Sequence, residues 1–158
     1  MKILIVEDRM ENVIAALEWA KKAQVEVVIK SNYESAKEML GDPEVGGAIL
    51  DLEIPEKEGT KPQREWGIRL AEEGEKFGVP YVILTGGYFH GSTPQAKVFV
   101  DLRDLEIDAG EIVPDKGEPQ AWEKAYQALQ DVCPNMEEIV EAKIRYKNFL
   151  RKPYQKRT

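Results

Sequence analysis

The chain has 158 residues with a single cysteine and a single histidine, and its formal net charge is −7. This length favours one domain with a real hydrophobic core, and no apolar run approaches the roughly 20 residues that a membrane-spanning helix needs. The lone Cys133 excludes an internal disulfide framework and, beside one histidine, argues against a structural zinc site. We expect a cytoplasmic protein, because an apolar strand follows Met1 and Lys2 directly, without a signal peptide.

The charge is distributed unevenly along the chain. Residues 142–158 contain seven basic and no acidic residues, so the other 141 residues hold 15 basic and 29 acidic ones, a net charge of −14. An acidic body argues against nucleic-acid binding by the main domain. For the basic tail we favour a solvated end, then docking to an acidic partner. Binding of RNA, DNA or anionic lipid comes last, because one short segment gives a weak, salt-dependent contact.

The first half of the sequence alternates short apolar runs with helical periodicity. Strands are predicted over residues 2–6, 25–29 and 48–52. Residues 11–23 show helical spacing, with an apolar face at Val13, Ile14, Leu17 and Ala20. A second helix begins after Ser31, which has Glu34 three residues on, as in a capping box.

The second half continues the alternation. Strands are predicted over residues 80–84 and 111–115, and helices over residues 64–77, from Pro94 to about 106, from Pro119 to 133, and 136–150. Strands that alternate with helices in this way predict a parallel sheet with helices on both faces.

Polar residues stand where four of these strands end. They are Glu7 and Asp8, Asp51, Thr85 and Lys116. Because parallel strands end at one edge of a sheet, these side chains can converge there. Asp51 is then a nucleophile, a metal ligand or a local cap. Three neighbouring carboxylates repel one another unless a cation joins them, and Mg²⁺ suits a site of few carboxylates and several waters, so we favour nucleophile plus metal ligand.

These motifs together resemble the receiver domain of two-component response regulators. The matching segments are residues 3–8 (ILIVED), 49–55 (ILDLEIP), 82–86 (VILTG) and Lys116 after the fifth strand. The resemblance covers roughly residues 2–133. It implies a flavodoxin-like α/β fold with a five-stranded parallel sheet in the order 2-1-3-4-5. We therefore divide the chain into a receiver-like domain, 1–133, and a C-terminal helix with a basic tail, 134–158.

The resemblance also implies a role for each site residue. Asp51 would accept phosphate from a histidine kinase or a phosphotransfer protein. Glu7, Asp8, Asp51 and the main-chain carbonyl of Glu53 would hold Mg²⁺. Thr85 and Lys116 would bind the phosphoryl group. The chain would then catalyse only its own phosphotransfer and dephosphorylation.

Around the fifth strand the sequence departs from the family pattern. Gly117 stands where proline usually follows the lysine, Val113 stands where an aromatic switch residue is usual, and Pro114 suits an edge strand. The segment from Thr85 to Lys116 is long. We therefore predict that output runs through residues 86–110 and the C-terminal helix, by contact with an acidic protein partner or a second copy.

Two alternatives stay open beside a stand-alone phosphorylated receiver. One is a receiver-like interaction module without regulated phosphorylation. The other is a small aspartate-nucleophile phosphohydrolase. Such hydrolases usually carry a second aspartate two residues after the nucleophile, where this chain has Glu53, and the chain is short for their usual cap.

Overall fold

The computed structural model describes residues 1–87, 94–100 and 111–151. In this part of the chain, six strands form one mixed sheet in the order β2-β1-β3-β4-β5-β6, and five helices pack on it. The strands are β1 (Lys2–Val6), β2 (Val27–Lys30), β3 (Val45–Leu50), β4 (Tyr81–Gly87), β5 (Gln95–Phe99) and β6 (Glu111–Val113). The helices are α1 (Met10–Ala23), α2 (Tyr33–Leu40), α3 (Arg64–Phe77), α4 (Pro119–Val132) and α5 (Met136–Leu150).

The flavodoxin-like α/β fold is confirmed, with one change to the predicted all-parallel, five-stranded sheet. Strands β1 to β4 are parallel in the predicted order, but β5 runs antiparallel to β4 and lies between it and β6. The strand expected as the fifth is therefore the sixth. Pairing with β5 also extends β4 beyond the predicted Leu84 to Gly87, since Thr85, Gly86 and Gly87 all join that ladder.

The helix predicted from Pro94 to about residue 106 is wrong over residues 95–99, which form β5. Burial alternates there, with Ala96 and Val98 inside and Gln95 and Lys97 half-exposed. That period of two is typical of a strand between two others, and it overrides the helix-starting Thr-Pro pair that precedes it. The part of the predicted helix beyond residue 100 lies outside the described residues, as do residues 88–93 with the loop residue His90.

The core has two layers, one on each face of the sheet, because successive strand residues point to opposite faces. On one face, Ile5, Ile49 and Leu84 pack against α1 and α4. On the other, Val6, Leu50 and Ile83 pack against α2 and α3. The two layers hold β1 and β3 between them, and both strands are almost completely buried.

The predicted inward face of α1 is wrong for its large residues. Ile14 and Leu17 are 51% and 46% exposed. The buried residues are Asn12, Ala15, Ala16, Trp19 and Ala20. Alanines let the helix approach the sheet closely, and the Trp19 ring fills the space towards α4, where it lies 5.2 Å from the Tyr126 ring.

The N-cap of α2 also differs from the prediction. The chain is extended at Asn32, and its side-chain Oδ1 accepts a hydrogen bond from the Ser35 amide at 3.0 Å. The helix therefore begins one residue later than a cap at Ser31 would place it. Asparagine is as good a cap as serine, so the local sequence supports both choices.

Helix α5 has the predicted bounds, and its first half packs on the sheet. Met136 and Val140 are buried beside the start of β3. Gly46 and Gly47 permit this approach, because a Cβ atom on Gly47 would overlap Met136 and one on Gly46 would crowd Val140 as well as overlap Met1. The second half of the helix is exposed. The division at residue 133 stays a prediction, and the tail beyond Arg151 lies outside the described residues.

Among the described helices, none combines the length and the apolar character needed to cross a bilayer.

Candidate metal and phosphoryl site

The ends of β1 and β3 bring three carboxylates together. The Asp51 amide donates to the Val6 carbonyl at 3.0 Å, and the Glu7 amide donates to the Lys30 carbonyl at 3.0 Å. These two bonds continue the pairing of the strands by one residue. Glu7 and Asp51 therefore lie next to each other at the carboxyl ends of β1 and β3. Carboxylate oxygens of Glu7, Asp8 and Asp51 all lie within 4.8 Å of one another. The predicted convergence of these three residues is confirmed.

Lys116 lies between two of these carboxylates. Its Nζ atom is 2.5 Å from Glu7 Oε2 and 3.1 Å from Asp51 Oδ2. The contact with Glu7 is an ion pair rather than a directed hydrogen bond. All three side chains are buried, Glu7 completely. A buried charge is stable only when it is paired, so the ammonium is what allows two carboxylates at this depth.

Burial sets the protonation of the site. Loss of hydration raises the pKa of Glu7 and of Asp51, and the Lys116 ammonium opposes that rise in both. Burial likewise raises the pKa of Asp8, with a further contribution from the Glu7 charge. For Lys116, burial alone would lower the pKa, but the combined attraction of Asp51 and Glu7 outweighs burial and raises it. The lysine is therefore a firmly held cation.

Thr85 and Glu53 lie beside Asp51 in different ways. The Thr85 hydroxyl, at the end of β4, donates to Asp51 Oδ1 at 3.2 Å. Each oxygen of Asp51 therefore has a cationic or hydroxyl partner. Glu53 lies in the loop after β3 and its side chain is exposed. It lines the same cavity, so its position fits the predicted carbonyl ligand, a role that remains a prediction.

A glycine holds the loop that carries Asp51. The Gly67 amide in α3 donates to the Leu52 carbonyl at 3.1 Å. A Cβ atom at Gly67 would overlap the Leu52 backbone. Helix α3 therefore touches the chain directly after the candidate nucleophile, and glycine is required for that close approach.

Lys116 reaches the site from a strand that is not next to β4. Strand β6 lies one strand farther out because β5 is inserted, so the chain turns back towards the centre after Pro114. The Lys116 carbonyl accepts a hydrogen bond from the buried Trp122 indole Nε1 at 2.8 Å. The Asp115 side chain also accepts from the Gly117 amide at 2.6 Å. These bonds fix the loop, and they were not anticipated from the sequence.

The convergent residues open into a cavity of about 550 Å³. The first turn of α1 forms one wall, with Arg9 and Asn12, and the inserted strand forms another, with Pro94 and Gln95. Sequence reasoning missed these wall residues. Asn12 was detectable, since it begins the buried series 12, 15, 16, 19 and 20, whereas Gln95 was hidden by the wrong helix prediction. The other lining residues are Asp8, Asp51, Glu53, Pro62, Thr85, Gly86, Asp115 and Lys116.

The donor set fits a hard divalent cation. Three carboxylates at this separation supply the oxygen ligands that Mg²⁺ prefers, and the open cavity beside them leaves room for waters on the ion. The site does not favour a soft metal, because none of the described residues near the cluster is a histidine or a cysteine.

Comparison with solved structures identifies the fold. The chain is similar to the bacteriophytochrome response regulator AtBRR, with a TM-score of 0.53 and 21% identity over 81% of this chain and 91% of that one. It is also similar to the signal receiver domain of a putative LuxO repressor protein from Vibrio parahaemolyticus, with a TM-score of 0.51 and 17% identity over 96% and 98%. The response regulator StyR is similar with a TM-score of 0.55 and 18% identity, over 94% of this chain and 67% of that one.

No family model and no curated protein matches the sequence. At these identities the structural matches establish the fold alone, and that fold is the receiver-domain fold of response regulators.

Proposed function

We propose that this protein is a response regulator receiver that accepts a phosphoryl group on Asp51 in a Mg²⁺-dependent reaction. The observation that carries the proposal is the arrangement of the Asp51 carboxylate, 3.1 Å from Lys116 Nζ and 3.2 Å from Thr85 Oγ1, in one cluster with Glu7 and Asp8. The receiver-domain fold supports it independently.

In the proposed reaction an oxygen of Asp51 attacks the phosphorus of a phosphohistidine on a kinase or phosphotransfer protein. An O–P bond forms, the N–P bond breaks, and the leaving imidazole takes up a proton. Lys116 and Thr85, which contact the two Asp51 oxygens, would donate to phosphoryl oxygens instead. Mg²⁺ held by Glu7, Asp8, Asp51 and the Glu53 carbonyl would neutralise charge on the transferred group.

Signal output would use elements other than an aromatic switch on the last strand. Val113 is buried among core residues that include Ala96 and Trp122, and β5 separates its strand from β4. A movement of Thr85 would therefore reach β5 first, through the direct pairing of Thr85 with Lys97. The predicted output segment, residues 86–110, includes this strand, but residues 88–93 and 101–110 lie outside the described residues.

The test is incubation with Mg²⁺ and a small phosphodonor, followed by intact mass measurement. We expect one added phosphoryl group that hydroxylamine removes, and none in Asp51→Asn, which preserves the size of the side chain. Unchanged mass with several phosphodonors would favour a receiver-like interaction module. Continuous release of phosphate from many substrates, with no stable adduct, would favour a phosphohydrolase.

The metal is tested separately by thermal unfolding. Mg²⁺ binding with 1:1 stoichiometry should raise the melting temperature, since a ligand that binds only the folded chain stabilises it. Asp8→Asn removes one carboxylate of the cluster and should abolish that gain. Equal melting temperatures with and without millimolar Mg²⁺, in both proteins, would contradict the metal site.

A further inference from the structure

Asn12 is a largely buried polar residue whose side chain finds no hydrogen-bond partner in the described part of the chain. It lies in the first turn of α1, is 6% exposed and lines the cavity beside the carboxylate cluster. Among residues 1–87, 94–100 and 111–151, its carboxamide makes no hydrogen bond. Among the described residues, Glu7 Oε2 is the only side-chain polar atom that is both fully buried and unbonded, so the Asn12 carboxamide atoms reach the cavity. Polar groups of a mostly buried side chain normally have a partner. The carboxamide therefore calls for a partner from the cavity.

Helix capping does not explain the asparagine. A polar side chain at the third helical position often reaches back to the N-cap amide. Here that amide, on Arg9, already donates to Glu7 Oε1 at 3.1 Å. Core packing does not explain it either. The other buried residues of α1 are Ala15, Ala16, Trp19 and Ala20, and an apolar residue would continue that series without loss of hydration.

We propose that Asn12 is a positioning residue whose carboxamide oxygen accepts a hydrogen bond from a water on the divalent cation. The inference rests on the proposed function. Mg²⁺ keeps several waters in protein sites, and these waters act as donors that need acceptors. A neutral amide provides an acceptor without a further negative charge beside three carboxylates that already repel one another. Such partners orient the ion through its bound waters.

The test uses substitutions that separate polarity from shape. Asn12→Leu keeps nearly the same size but removes the acceptor. We expect its Mg²⁺ dissociation constant, measured by calorimetric titration, to rise about tenfold. We expect its melting temperature in EDTA to stay level or rise, because the substitution breaks no hydrogen bond with the described residues. Asn12→Asp keeps an acceptor oxygen and should retain Mg²⁺ affinity. The matched control is Asn148→Leu, on the exposed half of α5, which should bind Mg²⁺ like wild type.

The outcomes are distinct. Wild-type Mg²⁺ affinity in Asn12→Leu overturns the inference but leaves the proposed function standing. A lower melting temperature in EDTA for Asn12→Leu, with weak Mg²⁺ binding by Asn12→Asp as well, indicates a packing role and also overturns it. Absence of Mg²⁺ binding by the wild-type protein defeats the proposed metal site and this inference together.

Discussion

The two halves of the sheet deliver their site residues by different physical means. In the half formed by β1, β3 and β4, Glu7 and Asp51 follow their strands directly and Thr85 lies two residues before the end of β4. Parallel pairing of the three strands brings these residues to one edge. In the half formed by β5 and β6, the strand before Lys116 is displaced outward by an antiparallel neighbour. There Lys116 is positioned by the loop that carries it and by the hydrogen bond from the buried Trp122 indole, not by the place of its strand in the sheet.

The comparison shows which parts of this site depend on backbone geometry and which depend on single side chains. Strand pairing is shared by many residues, so it survives most substitutions. A loop held by an indole hydrogen bond and an ion pair depends on a few atoms. We therefore expect the Lys116 cation to be the part of the site most sensitive to substitution.

The largest effect is expected from Lys116→Met. The substitution leaves Glu7 and Asp51 buried without their cation, so we expect a loss of about 3 kcal/mol in the free energy of unfolding by urea at neutral pH. Phosphorylation should slow by at least about 100-fold, because a donor to the phosphoryl group is lost. Lys124→Met removes a surface lysine 3.9 Å from Glu111 and should change stability by less than about 1 kcal/mol. Equal losses of stability in Lys116→Met and Lys124→Met would show that the burial of the Lys116 ion pairs does not matter.

Gly67→Ala tests the backbone half of the comparison. The new methyl group overlaps the Leu52 backbone, so α3 or the loop after Asp51 must shift, and we expect a loss of about 1 to 3 kcal/mol on urea unfolding. Gly74→Ala is the matched control in the same helix, where the nearest neighbour of the new methyl is the edge of the Tyr81 ring. A smaller loss at Gly67 than at Gly74 would contradict the close approach.

Trp122→Phe tests the anchor of the lysine loop. Phenylalanine keeps one aromatic ring but loses the Nε1 donor to the Lys116 carbonyl and part of the buried volume, so we expect a loss of about 1 to 3 kcal/mol in stability. Phosphorylation should slow on the order of tenfold or more, since small misplacements of a reacting group are costly.

Trp19→Phe is the control for this anchor, because it also loses an indole donor, to Glu123 on α4, away from the cluster. It should lose stability without slowing phosphorylation. If both tryptophan variants slow phosphorylation equally, the loop anchor has no special role.

The smallest effect is expected from pH. Burial raises the pKa of Glu7 and Asp51, so the folded chain keeps protons that the unfolded chain releases above about pH 4. The stability of the metal-free protein should therefore fall as the pH rises from about 4 through the raised pKa values of the folded chain. Lys116, whose pKa is also raised, keeps its contribution up to its ordinary value of 10.5 and loses it only above that. Urea unfolding in EDTA between pH 5 and pH 8 should show a shallower decline for Glu7→Gln than for wild type. A steeper decline in the variant would contradict this sign.

The sequence predicted the molecule up to Thr85 better than the part after it, for a physical reason. A buried parallel strand is a continuous apolar run, and a polar residue at its end marks the sheet edge, so Glu7, Asp51 and Thr85 could be placed from local pattern alone. The five residues of β5 follow a proline in a segment long enough for a helix. Only pairing with β4 and β6 decides that they form a strand.

Side-chain contacts between residues far apart in the sequence likewise could not be predicted from local patterns. The Trp122 bond to the Lys116 carbonyl depends on how the loop folds over α4, which no periodicity encodes. Asn12 was overlooked because the large residues Ile14 and Leu17 were taken to face inward, whereas α1 packs through alanines. In α1, tertiary packing overrode the apolar pattern.

Mapping the phosphorylated residue is the most direct test of Asp51 as the phosphoryl acceptor. After incubation with Mg²⁺ and a phosphodonor, borohydride reduces an aspartyl phosphate to homoserine, which peptide mass spectrometry locates. We expect homoserine at position 51 in wild type, much less of it in Lys116→Met, and none without Mg²⁺ or in Asp51→Asn. A modification at another carboxylate of the cluster, or none under any of these conditions, would contradict Asp51 as the phosphoryl acceptor.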